Sequence, residues 1–214
     1  MPDRGASVER LGAFSDAVFA VIITVMVLEL KPPEYPTFRA LWPLWPTFLS
    51  YAASYQFIAI VWLNHHHLLR FAQSPTPRLI WINFAHLFMV SLVPFSTAWV
   101  ARTRLAAVPV FVYAAVFVLV ELAYLPFERH ALAQADVGEI SPRTRQIAKV
   151  RTFVALGIFV VAMLLSLKFP LMGFGLVCGA LLLYLRPEPP WTRRAAAGKV
   201  ARESATTPHS DLDG

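Results

Sequence analysis

Two clusters of side chains in this 214-residue sequence have the types and spacing to do chemistry. Arg10, Ser15 and Asp16 open the apolar run RLGAFSDAVFAVIITVMVLEL, and His65-His66-His67 closes another. Three adjacent histidines invite a metal centre. Consecutive helical residues point about 100° apart, however, so they cannot converge on one ion within a helix. A metal-binding helix spaces its ligands His-x-x-x-His. His86 is the only other histidine inside an apolar run, and no second cluster completes a diiron-type set. With no nucleophile–base pair visible either, the sequence does not read as an enzyme and calls for no cofactor. The better role for these histidines is to bond Ser15, Asp16 or Arg10, with Asn83 as a further member of the same network.

The acidic residue poses the harder question. Arg10 can snorkel to a membrane interface, but Asp16 lies roughly 9 Å further along a helix. A carboxylate at that depth is costly and faces a bundle interior or water with a partner. Six residues turn Asp16 about 240° away from Arg10, which makes them poor partners for each other. Each is expected to bond to a neighbouring helix. Polar packing is the stronger reading of Asp16, ahead of direct contact with a permeating ion.

Those neighbours must themselves be membrane helices. The chain is 57% hydrophobic and 15% charged, against about 45–50% and about 25% in soluble domains. Six apolar segments approach the roughly 20 residues that a span needs: 11–30, 44–69, 79–101, 106–127, 151–168 and 170–185. The last two, joined by Lys168-Phe169-Pro170, read as a tight helical hairpin. The runs are too long for strands. The fold class is all-α, a polytopic membrane protein with six transmembrane helices and no re-entrant selectivity-filter loop. Residues 1–186 form the six-helix transmembrane domain, and 187–214 read as a disordered cytoplasmic tail.

The formal charge of +6 does not point to nucleic acid, because the cations lie in short connectors and in the tail. Fourteen of the nineteen lysines and arginines fall on one side if the N-terminus is cytoplasmic. The positive-inside rule then puts both termini in the cytoplasm. The single cysteine, Cys178, lies in an apolar segment and forms no disulfide framework. The first run does not read as a signal peptide, since it holds Asp16 and lacks a small-residue cleavage site before Lys31-Pro32-Pro33-Glu34.

The pattern Arg10, Phe14, Ser15, Asp16 resembles the Arg-x-x-x-Phe-Ser-Asp signature of the bacterial members of the transmembrane protein 175 family, relatives of the endolysosomal potassium channel. The stretch AVFAVIITVMVLEL that follows is similar to that family's first helix. Trp62-Leu63-Asn64-His65-His66 and Leu92-Val93-Pro94-Phe95-Ser96-Thr97 extend the likeness. It spans all six segments, and the first is the most specific. The resemblance implies a homotetramer in a bacterial inner membrane. It also implies that the first helices line a potassium-permeable pore.

One feature of the residues supports pore lining independently. Val21, Thr24 and Leu28 have i, i+3, i+7 spacing and share a helix face, with Phe14, Ala17 and Val25 continuing or bordering it. Around an axis, Val21 and Leu28 form apolar rings, which gate by dewetting. Thr24 places a hydroxyl ring between them, able to replace part of an ion's hydration shell, and the family resemblance implies that potassium ions rest there transiently. The family resemblance assigns these positions to a hydrophobic constriction and, in some bacterial members, a threonine layer. Val21 is less bulky than the isoleucine or leucine expected there. The opposing reading is that Thr24 bonds only its own backbone. None of the nine glycines precedes a tyrosine, so a carbonyl filter of the Gly-Tyr-Gly kind is excluded.

Glu121 is expected to pair with a tyrosine such as Tyr113 or Tyr124, or to face headgroups, and is given no function. Trp42, Trp45, Trp81 and Trp99 read as interfacial anchors. A potassium-permeable channel subunit ranks first. A secondary transporter or proton-leak pathway is the alternative, although transporters show internal repeats and broken helices, and neither stands out.

Overall fold

The computed structural model describes residues 4–135 and 142–184. The expected tail from residue 187 lies outside them. Among the described residues every regular element is helical: α1 (Arg4–Leu28), α2 (Trp45–Leu69), α3 (Pro77–Ser91), α4 (Val93–Arg102), α5 (Ala107–Leu132), α6 (Pro142–Ser166) and α7 (Pro170–Tyr184), with a 3-10 turn over Phe38–Leu44 before α2. Prolines near the starts of α2, α3, α4, α6 and α7 suit positions whose N–H has no intrahelical partner. Thr76 caps α3, accepting a hydrogen bond from the Leu79 amide at 3.2 Å.

The third expected segment is two helices. Pro94 cannot donate to Val90, and its ring crowds that carbonyl. The rod therefore breaks at Leu92, which remains near helical dihedrals at φ −81°, ψ −13°. Together α3 and α4 still make a membrane-length rod, Pro77–Arg102. Both α1 and α6 begin before their apolar windows, because hydropathy marks only the length suited to lipid. The polar turns of α6 before Arg151 continue the helix without a breaker. Ser7–Leu28, Ala107–Leu132 and Arg145–Ser166 are also long and apolar enough to cross a membrane. The polar residues of α2 lower its apolarity but turn inward: Ser50, Ser54 and His65 are all buried.

The core lies where α2, α5 and α6 meet. Phe57 and Phe117 stack with ring centroids 3.7 Å apart, and Phe159 meets both edge-on. Beside them a hydroxyl cluster joins three helices. Ser54 bonds the Thr97 hydroxyl at 2.7 Å and the Tyr113 hydroxyl at 2.9 Å. Tyr113 is thereby taken by Ser54, which removes it as the expected partner of Glu121.

Helices α6 and α7 form the expected hairpin, and its closeness depends on one missing side chain. A Cβ on Gly173 would sit 2.7 Å from the Ala162 carbonyl oxygen and 2.8 Å from the Ser166 Cβ. A Cβ on Gly179 meets nothing within 4 Å. Overpacking a filled contact costs about 1–3 kcal/mol or more. Gly173→Val is therefore expected to cut the yield of folded protein and lower its melting temperature in detergent, while Gly179→Val leaves both near wild type. Fluorescence-detected size exclusion with a temperature ramp reads the difference.

Candidate functional site

Helix α1 has two faces. Leu11, Ser15, Phe19, Ile22 and Met26 are buried, and their spacing puts them on one stripe. Opposite lie Val21 (59% exposed), Val25 (44%) and Leu28 (76%), with Phe14 at 49%. Ala17 and Thr24 are exposed on the same side. The protomer thus packs α1 against α2, α3 and α4 along one stripe and leaves a broad apolar face open.

A buried knot fixes which face is which. The Ser15 hydroxyl donates to the Leu11 carbonyl at 2.9 Å and accepts from Asn83 Nδ2 at 3.0 Å. Asn83 Oδ1 lies 2.6 Å from His65 Nε2. An amide oxygen only accepts, so His65 is the Nε2–H tautomer in this network. Ser15, His65 and Asn83 are all fully buried. The His65 ring stacks on Phe127 with centroids 4.6 Å apart and meets Phe19 of α1 edge-on. Three helices, α1, α2 and α3, are locked by four atoms of one amide and its two partners.

Asp16 sits at the edge of this knot. Its Oδ1 accepts from Trp62 Nε1 at 2.8 Å, and its Oδ2 lies 3.8 Å from His66 Nδ1, an ion-pair distance if His66 is protonated. Both side chains of that pair are about 40% exposed. Nothing in the sequence singles out Trp62 as the donor to Asp16, although Trp62 and His66 are i, i+4 neighbours and so share a face of α2. Arg10 is exposed, and the structure does not join it to Asp16 or to the histidines. Phe14 meets Phe84 of α3 edge-on at 5.5 Å. The three adjacent histidines point in different directions, and among the described residues no group of three or more His, Cys, Asp or Glu side chains is placed to hold a metal.

On the open face, the Thr24 hydroxyl donates to the Val21 carbonyl at 2.8 Å. The backbone bond weighed from the sequence does form. It uses the hydroxyl proton and leaves the oxygen lone pairs free on the exposed side. At the far end of α1, Arg102 of α4 donates to Glu29 at 2.7 Å. Between the two helices lies a groove of about 620 Å³ lined by Val21, Val25, Pro94, Phe95 and Trp99, among others.

Fold and site together define a polytopic helical membrane protein with one transmembrane helix presented on an uncovered apolar face. Residues 10–94 match the family model described as endosomal/lysosomal potassium channel TMEM175. A Chryseobacterium protein described as a potassium channel is 34% identical over 84% of this chain and 93% of its own length. A second potassium channel, from Chamaesiphon minutus, is 32% identical over 82% of this chain and 91% of its own length. The crystal structure of a lysosomal potassium-selective channel TMEM175 homolog from Chamaesiphon minutus superposes with a TM-score of 0.72 at 26% identity. It covers 84% of this chain and 96% of that one. The chain belongs to the TMEM175 family.

Asn83→Leu removes both bridging contacts and orphans buried groups on Ser15 and His65, at roughly 1–3 kcal/mol for each unsatisfied group. It is expected to lower thermal stability clearly, whereas Thr24→Ala, on the open face, changes it little. Thermal unfolding of purified protein, followed by size exclusion, checks the contrast.

Proposed function

We propose that this chain is one subunit of a homotetrameric, potassium-permeable channel whose pore is lined by α1. The observation that carries this reading is the registration of α1. Its polar knot faces the protomer core, and Val21, Thr24 and Leu28 face outward together. One helix cannot enclose an aqueous path, and closed cyclic symmetry supplies the other walls. The number four comes from the family resemblance, and the potassium descriptions of the two bacterial relatives support the ion. Val21 and Leu28 form the constrictions, Val25 borders them, and Thr24 is the layer where potassium ions rest transiently. Arg10, Phe14, Ser15, Asp16, His65, His66 and Asn83 serve assembly and the setting of α1.

The membrane is a bacterial inner membrane, with both termini cytoplasmic by the lysine and arginine bias. Residues 1–186 constitute the channel domain. Native mass spectrometry in detergent is expected to show a tetramer, and a stable monomer contradicts this reading. Current that reverses near the potassium equilibrium potential separates a channel from a secondary transporter.

The pore face is tested by neighbouring substitutions. Val21 is exposed, and Ile22 is buried at 6%. Val21→Asn hydrates the constriction, raises conductance and weakens potassium-over-sodium discrimination. Ile22→Asn buries an unpartnered amide and reduces assembled protein instead. Reversal potentials under bi-ionic conditions decide the matter; equal conductance and selectivity in assembled Val21→Asn and wild type remove Val21 from the pore.

A further inference from the structure

Away from α1, a small, partly open cavity of about 40 Å³ lies between residues of α2, α3, α5, α6 and α7, with His86 at its buried end and Glu121, Tyr124, Arg151 and Tyr184 half-buried around it. Its walls are polar for an intramembrane space: His86, Glu121, Tyr124, Glu128, Arg151 and Tyr184. His86 is fully buried, and neither of its ring nitrogens has a hydrogen-bond partner. The Val120 backbone is near it but outside hydrogen-bonding geometry. Glu121 and Glu128 likewise make no hydrogen bond or ion pair among the described residues. A neutral imidazole has one donor and one acceptor, and both need partners when buried.

The volume is sufficient for about three or four waters at roughly 10–15 Å³ of accessible space each. The two carboxylates are i, i+7 neighbours and stand on the same side of α5. Glu128 lies about 6 Å from the end of that helix and Glu121 about 16 Å from it. Arg151 enters from α6, stacked on Tyr184 of α7 at 5.1 Å, and Lys149 and Arg129 act on Glu128 from nearby. Asn64 and His65 come from α2. His86 lies at the inner end, its ring parallel to His65 with centroids 5.9 Å apart. His65 holds Asn83, and Asn83 holds Ser15 of α1. An unpartnered imidazole and two unpaired carboxylates therefore meet in one small space, and that space adjoins the anchor of α1.

We infer that this cavity is a hydrated proton-binding site, off the pore axis, in which water bridges His86 to Glu121 and Glu128, and whose proton occupancy reaches α1 through His65, Asn83 and Ser15. The transfer within the site is of a proton alone: a carboxylate gains it from water on one side and returns it to water or His86 on the other. The conductance readout of this inference rests on the channel reading above, while proton binding does not.

The test uses the full chain in proteoliposomes, by infrared difference spectroscopy between acid and neutral buffer in H2O and D2O, with potassium conductance recorded from the same preparations. The expected result is a protonated-carboxyl band that appears on acidification, shifts in D2O and is missing from Glu121→Gln. Conductance of wild type is expected to change with pH on the α5 C-terminal side, and Glu121→Gln and His86→Gln each shift that profile by about one pH unit or more. Glu128→Gln is the companion variant should His86→Gln fail to assemble. A band identical in wild type and Glu121→Gln overturns the proton site. Loss of the band with unchanged conductance profiles in the assembled variants overturns the link to α1. The expected band in protein that conducts no potassium upholds the site and refutes the channel reading instead.

Discussion

The rotation of α1 about its own axis is the constraint on which the rest depends. A helix that is apolar almost all round has no preferred azimuth among lipid tails, which are as apolar as leucine. In α1 the preference comes from Ser15, whose hydroxyl must meet Asn83 while Asn83 meets His65. Turning the helix by one residue leaves a hydroxyl, an amide and an imidazole unpaired in a dry interior, at a cost on the order of 1 kcal/mol or more for each. Everything on the opposite face inherits its direction from that knot. Asp16, held by Trp62 at the rim, adds a second point of registration.

The same knot keeps the buried polar contacts of α1 on the side that meets α2 and α3, and leaves Thr24 as the one polar side chain among Val21, Val25 and Leu28 on the open side. A hydrogen bond inside the protomer constrains an axis without adding polarity to the surface that another chain would meet. At the other end of α1 the fastening is of a different kind, an exposed pair between Glu29 and Arg102 where solvent or headgroups can share the charge. Between the two ends, the break at Leu92 frees α4 to place Thr97 against Ser54 and Tyr113. Both fastenings of α1 and this hydroxyl cluster thus run through α3–α4, the rod that proline divides.

The sequence made some of this legible and hid the rest for physical reasons. Long apolar windows located the rods, because length and hydropathy are local properties. The i, i+3, i+7 spacing of Val21, Thr24 and Leu28 identified a shared face, because spacing alone fixes azimuth within a helix. Spacing does not say which neighbour a face meets. Trp62 as partner of Asp16, Ser54 as partner of Tyr113 and the separation of Arg10 from the knot all depend on how rods pack side by side. The division at Leu92 was readable in principle from Pro94, yet a proline in a membrane helix can kink it without ending the span. The cavity around His86 was invisible because its members come from five helices.

The open face of α1 also bears on how the proposed pore would distinguish ions. In the proposed tetramer no charged side chain stands among Val21, Thr24 and Leu28, and the charge that α1 does carry on that side, Arg10, lies roughly 16 Å before Val21 near the helix start. The Thr24 proton is already committed to the Val21 carbonyl, so the layer offers oxygen lone pairs and withholds its donors. That polarity favours cations over anions with no net charge in the wall. Discrimination among cations then depends on how many hydroxyl oxygens one ion can touch at once while shedding water between two apolar rings. On that proposal the reach of those oxygens follows from the radius at Val21 and Leu28, and the radius in turn from the azimuth that Ser15 and Asn83 hold.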